Sequence, residues 1–357
     1  MNGWKHAVIS KPFRAFALRS VASGNRQLRN LNVRRTIEGQ PLVTGMSTDR
    51  STPADIIIHV VANFKAGLLP RNSSREILAS FSRYPHVTCR IDDCQDPGGT
   101  PASVDRALET SAQIVVAAGG DGTVSSVADL LVGKNVELGV LPLGTFNNFA
   151  KDLGIPLDLD RAVDTVCAGM TTPIDLGEVN GRYFINNVSL GAYPKVVQLR
   201  DRLRKFIGKW PAMIPAILFV LLRMPWFRVH MEWNGHRTRR FVPLLFVGNN
   251  PYETTWPEVG RRQGIGKGVL WLMFFKKLGF FSVMRDALPA LSGRIWKAED
   301  LEVLETTELT VRSSRHRLTV ALDGETFRQH TPLIFRSHHA ALKVRVPSRD
   351  EYAEDLK

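Results

Sequence analysis

Cysteine is scarce in this chain. Three residues of 357, Cys89, Cys94 and Cys167, form no Cys-x-x-Cys pair and leave one thiol over. That excludes a zinc ribbon and a closed disulfide framework and fits a reducing cytosol. Long apolar runs are missing too: no uncharged stretch exceeds thirteen residues, and the one from Trp210 to Leu222 has Pro211 and Pro215 inside it. A helix needs roughly 20 apolar residues to cross a bilayer. There is no internal repeat and no low-complexity tract, and 44% apolar with 23% charged residues is a globular composition, neither fibrous nor disordered. At about 100 to 200 residues per domain, the length suggests two cores.

Acidic charge is in short supply, and the net charge of +13 sits mainly in two places. Residues 1–50 carry nine Lys/Arg against Glu38 and Asp49, and residues 195–240 carry eleven against Asp201 and Glu232, so the remainder is slightly acidic. Such patches suit an anionic surface, phospholipid or nucleic acid; a solvated basic face without a partner is the alternative. Residues 1–53 lack an apolar period, are broken by Gly24, Asn25, Gly39 and Pro41, and read as a mobile basic head. The head is Arg-rich and acid-poor, as targeting presequences are. Met46, about ten positions before the first strong strand, is an alternative start. A basic membrane-touching arm is a third reading.

From Asp55 strands and helices alternate: strands at Ile56–Val61, Val87–Ile91, Ile114–Ala118 and Leu138–Leu141, helices at Arg71–Phe81, Ser103–Thr110 and Val124–Leu131. That alternation predicts a doubly wound α/β domain over residues 54–170, of nucleotide-binding type. Afterwards the pattern changes. Ile174–Val179, Asn180-Gly181 and Tyr183–Val188 make a hairpin signal, because Asn-Gly supplies the two positive-φ positions of a tight turn. Short strands follow at Val229–Trp233, Phe241–Val247, Val269–Phe275, Glu308–Val311, Leu318–Leu322, Leu333–Phe335 and Leu342–Val346. They predict an antiparallel β-rich domain over residues 171–335 with an inserted helical stretch at 196–223. Residues 336–357 are expected to form a terminal strand, returning to the first domain, and a tail.

The chemistry concentrates in three turns. In Val115-Val116-Ala117-Ala118-Gly119-Gly120-Asp121-Gly122-Thr123-Val124 a strand runs through three glycines into a helix. Small residues there let backbone N–H groups close on an anion at a helix N-terminus, and a phosphate suits that cradle. Asp121 in its middle repels phosphate unless it holds a metal or meets an acceptor hydroxyl, as phosphoryl transfer requires; the alternative is a plain turn capped by Thr123. A second strand-to-helix loop, Leu141-Pro142-Leu143-Gly144-Thr145-Phe146-Asn147-Asn148, offers Gly144 for close approach and Thr145 and Asn147 as caps or ligand donors. Two such loops at the carboxyl ends of successive parallel strands would line one crevice. The third turn, Leu322-Asp323-Gly324-Glu325, sets two carboxylates on one side of a strand end, either as a base or metal pair or as a solvated hairpin tip.

Together these segments resemble the diacylglycerol kinase catalytic family, bacterial lipid kinases related to sphingosine kinases and more distantly to NAD kinases. The resemblance spans roughly residues 54–347 and rests on GGDGT at 119–123, PLGTFNNFAKDLGIP at 142–156, IDLGEVNGRYFINNVSLGAY at 174–193, VGNN at 247–250 and LDGE at 322–325. It implies ATP as donor, Mg²⁺, and a membrane lipid hydroxyl as acceptor, with the enzyme cytoplasmic and resting on the inner face of the membrane. Carried over by position, Asn63, Gly119, Gly120, Asp121, Gly122, Thr123, Ser125, Gly144, Thr145 and Asn147 form the nucleotide site. Asp323 is the expected general base on the lipid hydroxyl with Glu325 beside it, and Asp121 is the expected ligand of the Mg²⁺ that accompanies ATP. In the sphingosine and NAD kinases the aspartate corresponding to Asp121 is the favoured base, so the two roles stay open.

Three departures stand out. Asn63-Phe64-Lys65-Ala66-Gly67 lacks the Pro and Ser of the family's first turn, and Asn147-Asn148 replaces an Asn-Asp pair. Ile265-Gly266-Lys267-Gly268-Val269-Leu270 stands where some members hold a structural metal with paired aspartates, which a lysine cannot replace. These departures leave a weakened nucleotide- or lipid-binding protein as one alternative, and a kinase of a soluble hydroxyl substrate as another. The segment Arg200-Asp201-Arg202-Leu203-Arg204-Lys205 with Trp210, Phe219, Trp226 and Phe227 reads as a membrane-interfacial device, its alternative being a core helix with a basic edge. No nucleic-acid motif accompanies the charge. Residues 260–268 miss the Walker spacing, no GxSxG surrounds a serine, and His330, His338 and His339 read as solvated.

Overall fold

A computed structural model of the chain describes residues 55–64, 73–95, 98–207, 213–222, 226–253, 262–275 and 301–348. The basic head, and Lys65, Ala66 and Gly67 of the first loop, lie outside them. Ile56-Ile57-Ile58-His59-Val60-Val61-Ala62 is β1, with parallel partners on both sides: β2 (Val87–Asp93) and β3 (Ile114–Gly119), which pairs in turn with β4 (Glu137–Pro142). Both faces of β1, β3 and β4 are covered, which is why their sequences run largely apolar without alternation, whereas β2 at the edge is polar and partly exposed. Ile58, Val60, Ile114 and Val116 meet Ile77 and Phe81 of α1 (Ser73–Phe81) and Val163 and Val166 of α5 (Leu159–Ala168). On the other face Val61, Val115 and Ala117 meet Val104 of α2 (Gly99–Glu109), Val127 and Leu131 of α3 (Asp121–Leu131) and Phe149 of α4 (Asn148–Asp152).

Beyond α5 the chain is antiparallel. β5 (Met170–Val179) turns at Asn180 and Gly181, with φ of 48° and 83°, into β6 (Arg182–Phe184), the tight hairpin its sequence predicts. Then come β7 (Asn187–Gly191), α6 (Ala192–Ile207), α7 (Met213–Leu222), β8 (Phe227–Trp233), β9 (His236–Val242), β10 (Leu244–Asn249), β11 (Leu270–Phe275), β12 (Leu301–Thr306), β13 (Glu308–Ser313), β14 (Arg317–Leu322), β15 (Glu325–His330) and β16 (Leu333–Val346). Six strands form one antiparallel sheet, in the order β12-β11-β10-β7-β14-β15. The larger sheet runs β2-β1-β3-β4-β16-β13-β8-β9, with β5 beside β16 and β6 beside β5. Val188, Leu190, Val247, Leu272 and Val320 of the first sheet pack on Val229, Met231, Val311 and Phe335 of the second.

β16 ties the two halves together. It pairs antiparallel with β13 and β5 and reaches β4 in parallel at Val344 and Leu138. Leu333–Phe335 and Leu342–Val346, expected as separate strands, are one strand with an irregularity between His338 and Leu342, where Ala340 takes φ 52°. Two expected strands are split instead. Tyr183–Val188 changes sheets at Ile185 and Asn186, and Phe241–Val247 changes at Pro243, which has no N–H to extend a ladder.

Candidate functional site

The two glycine loops pack backbone to backbone. β3 ends at Gly119 and β4 at Pro142, and a Cβ added to Gly144 would overlap the Cα of Gly120. Only glycine permits that approach. Asn147, at φ 52°, folds its own loop: its Oδ1 accepts from Gly144 N at 2.9 Å, while its Nδ2 donates to Pro142 O at 2.9 Å and Gly144 O at 3.0 Å. Both its side-chain polar atoms are engaged, so it shapes the loop, and Thr145, Phe146 and Asn148 are the exposed residues there. Asp121 opens α3, accepts from Phe149 N at 3.1 Å, and so clamps the first glycine loop to the second. At the end of β1, Asn63 donates to Thr123 Oγ1 at 3.4 Å, and its Oδ1 is buried with no partner. Asn63, the 119–123 loop and Gly144 thus converge where the positive end of the α3 dipole emerges.

The third turn comes to the same place. Asp323 and Gly324 take φ of 46° and 90° and join β14 to β15. The Asp323 carboxylate accepts four hydrogen bonds: at Oδ2 from Ser125 Oγ (2.6 Å) and Ile185 N (2.9 Å), and at Oδ1 from Asn186 N (2.9 Å) and Asn187 N (2.8 Å). Burial pushes its pKa up, against the lowering effect of those donors. Glu325 is different: exposed, it lies over the first turn of α3, where a Cβ on Gly122 would stand 3.2 Å from its Oε1. Gly122, Ser125, Asp129, Tyr183, Asp323 and Glu325 line one small recess. Asp129 accepts from Tyr183 N at 2.7 Å, and burial raises its pKa as well.

The FINN and VGNN segments form a knot around the peptide that Asp323 holds. Asn249 N donates to Asn186 O at 2.8 Å, and Asn249 Nδ2 donates to Ile185 O at 3.1 Å and Asp175 O at 2.8 Å. Tyr252 Oη donates to Asn186 O at 2.9 Å, and the buried guanidinium of Arg262 donates to Asn186 Oδ1 while facing Asp152 at 3.3 Å. The sequence reading named these two segments without giving Asn186 or Asn249 a role, and Tyr252 and Arg262 lie outside both. The signal was in the asparagine pairs, since asparagine tolerates turn geometry and has the donors and acceptor to bond backbone.

Where a structural metal is expected in some relatives, this chain uses direct bonds. The enclosed Asp175 carboxylate accepts from Gly268 N at 2.6 Å and Ala340 N at 2.9 Å, and meets His339 Nδ1 at 2.8 Å. Lys267 donates its N–H to Asn250 and its Nζ to Gln263. Among the described residues no three His, Cys, Asp or Glu side chains converge on a metal-sized centre. The histidines read as solvated are engaged: His338 meets Glu178 at 2.6 Å, and His330 Nε2 meets Arg317 Nε at 3.0 Å. Strand pairing across more than 150 residues supplies those acids, which local spacing could not display. Burial pushes the Cys89 and Cys167 thiols up to about 12, so neither is a thiolate near neutrality.

The helical stretch at 196–223 is α6 and α7 packed on each other, with Val197, Ala216 and Val220 buried and Phe219 and Leu222 exposed. Arg200 is mostly covered and paired with Asp201 at 2.9 Å, and Arg202 is exposed. The side chains of Arg204 and Lys205 lie outside the described set. No helix among the described residues is long and apolar enough to cross a membrane.

Known proteins resemble this chain in sequence and fold. Residues 58–179 match the diacylglycerol kinase catalytic domain. A diacylglycerol kinase of Bacillus subtilis (strain 168) is 30% identical over 251 residues, 69% of this chain and 80% of that protein. A protein of Klebsiella pneumoniae (strain 342) named "Probable lipid kinase YegS-like" is 28% identical over 263 residues, 71% of this chain and 84% of that one. The crystal structure of a diacylglycerol kinase from Bacillus anthracis str. Sterne superposes with a TM-score of 0.59 at 17% identity, covering 83% of this chain and 98% of that chain, a likeness of fold. With an N-terminal α/β half, an antiparallel β-rich C-terminal half and a relative at this identity over most of its length, the chain belongs to the diacylglycerol kinase catalytic-domain family.

Proposed function

We propose that the chain is an ATP-dependent lipid kinase that phosphorylates the hydroxyl of diacylglycerol or a similar membrane lipid. The observation that carries this reading is the meeting of the Asp323–Glu325 turn with the first turn of α3, through the 2.6 Å bond from Ser125 to Asp323 and the carboxylate of Glu325 over Gly122. A loop suited to phosphate and a carboxylate suited to a hydroxyl proton then share one recess. Residues 54–170 serve as the nucleotide half and residues 171–335 as the lipid half.

Asn63, Gly119 to Thr123 and Gly144 would hold the triphosphate, Asn63 being tied to that loop through Thr123 and having an unpartnered buried Oδ1. Of the two acids at the β14–β15 turn, Glu325 is the better base. Asp323 already accepts four hydrogen bonds and positions the 185–187 peptide, whereas Glu325 is open to an incoming hydroxyl. In the step, Glu325 takes the hydroxyl proton, the lipid oxygen forms a bond to the γ-phosphorus, and the bond to the β-bridging oxygen breaks to release ADP. Asp121 retains one carboxylate oxygen beyond its bond to Phe149 N and is the residue suited to hold Mg²⁺. When bound with ATP, that ion would neutralise phosphate charge. The ligands around Asp175 do not suit a second, structural ion.

Incubation with radiolabelled ATP, Mg²⁺ and a mixed lipid extract is expected to label one lipid class; label in water-soluble products only, or none, overturns the reading. Gly144→Ala is expected to weaken ATP binding at least ~10-fold, because the new methyl forces the two loops apart at the Gly120 contact. Titration with a fluorescent ATP analogue reads that change, and unaltered affinity removes these loops from the nucleotide site.

A further inference from the structure

The outer face of β8, β9 and β13 carries a cluster of cations that the phosphoryl-transfer site does not use. Strand register sets it out: Arg312 lies opposite His230, and His230 opposite Arg239, in one row across three strands. The next row holds Thr310, Glu232 and Arg237, and on the other side Arg228 lies opposite Phe241. Residues directly opposite share a face, and neighbouring strands stand about 4.8 Å apart, so Arg312, His230 and Arg239 fall within roughly 10 Å. Arg228, His230, Arg237, Arg239 and Arg312 are all exposed. Glu232, the one acid in these rows, is engaged by Arg237 at 2.9 Å. His230, Glu232, Arg237, Arg239, Thr310 and Arg312 border a recess of about 420 Å³.

Two arginines within roughly 10 Å of each other, with the one acid of these rows already engaged by Arg237, suit an anion from outside. The rim of the same face is apolar and aromatic. Phe241 is 56% exposed and stacks on Trp226 with ring centroids 5.3 Å apart. Trp226 follows closely on α7, whose Leu222 is 61% exposed. Cations beside exposed aromatics match a phospholipid headgroup layer, where charge meets phosphate and rings enter at the depth of the glycerol.

We infer that the β8–β9–β13 face is a docking surface for an anionic phospholipid membrane, with Arg228, Arg239 and Arg312 meeting headgroup phosphates and Phe241 with Trp226 entering the interface. It shifts the membrane contact from the charged second half of α6, where Arg200 is mostly covered, to a flat sheet face. Its readout does not depend on the kinase reading. The test is cosedimentation with vesicles of phosphatidylcholine alone or with 30% phosphatidylglycerol, at low and high salt. The full chain is expected to bind only the anionic vesicles and to be released by salt.

Each surface arginine contributes about fivefold in affinity, so the triple variant Arg228→Gln, Arg239→Gln, Arg312→Gln should bind about 10²-fold more weakly. These side chains are exposed, so the melting temperature should not move. Phe241→Ala should lower affinity while keeping the salt dependence. Unchanged vesicle binding by the triple variant overturns the inference, as does equal binding to neutral vesicles. Tighter retention of the full chain by single-stranded RNA than by anionic vesicles at the same salt also overturns it. Kinase assays on a short-chain lipid in neutral detergent micelles separate the two readings: the triple variant should transfer phosphate there at the rate of the parent chain, and an inactive parent leaves the vesicle result standing.

Discussion

Glu325→Gln is expected to lower kcat by about 10² to 10⁴ while leaving the melting temperature and ATP affinity nearly unchanged. The amide has the shape of the acid but cannot take a proton. Because Glu325 is exposed at the start of β15, the change removes no packing and no internal hydrogen bond among the described residues. Its Oε1 stands beside Gly122, in the recess that Gly122 shares with Ser125 and Asp323. The measurement is steady-state phosphorylation of a dispersed lipid over a range of pH, with thermal unfolding as a control. A variant with parental kcat rejects Glu325 as the base and moves the role to Asp121. The two acids separate further by metal dependence, since Asp121→Asn should raise the Mg²⁺ concentration needed for half-maximal rate and Glu325→Gln should not.

The first half of the fold was legible because its signals are local. Apolar strands such as Ile114–Ala118 and the Gly-rich turn into α3 announce themselves within about ten residues. What stayed hidden is set by pairing at a distance. β9, with its run of arginines, carries no apolar alternation, and only register with β8 reveals it as a strand. β15 is likewise a polar edge strand. At the site, sequence reading named Asp323 and Glu325 together but ranked them by the resemblance. Which of the two is engaged depends on the 185–187 peptide, some 136 residues away, whose three N–H groups point at Asp323. The same holds for His338 and His339, whose acid partners lie on β5.

Asp323→Asn is expected to act through stability first and turnover second. Three backbone N–H groups and one hydroxyl converge on the carboxylate, two donors to each oxygen. An amide has one acceptor oxygen, so either placement turns its NH₂ against backbone donors: Ile185 N on one side, Asn186 N and Asn187 N on the other. Leaving buried donors unsatisfied costs about 1–3 kcal/mol each, so a loss of ~2–4 kcal/mol is expected, or about 2–4 °C in melting temperature for each kcal/mol. Unfolding scans of parent and variant measure that loss. kcat should fall as well, because the turn that presents Glu325 loses its anchor on Ser125 and the 185–187 peptide. A variant of parental stability whose kcat alone drops by about 10² to 10⁴ would make Asp323 the base after all, and Glu325 its neighbour.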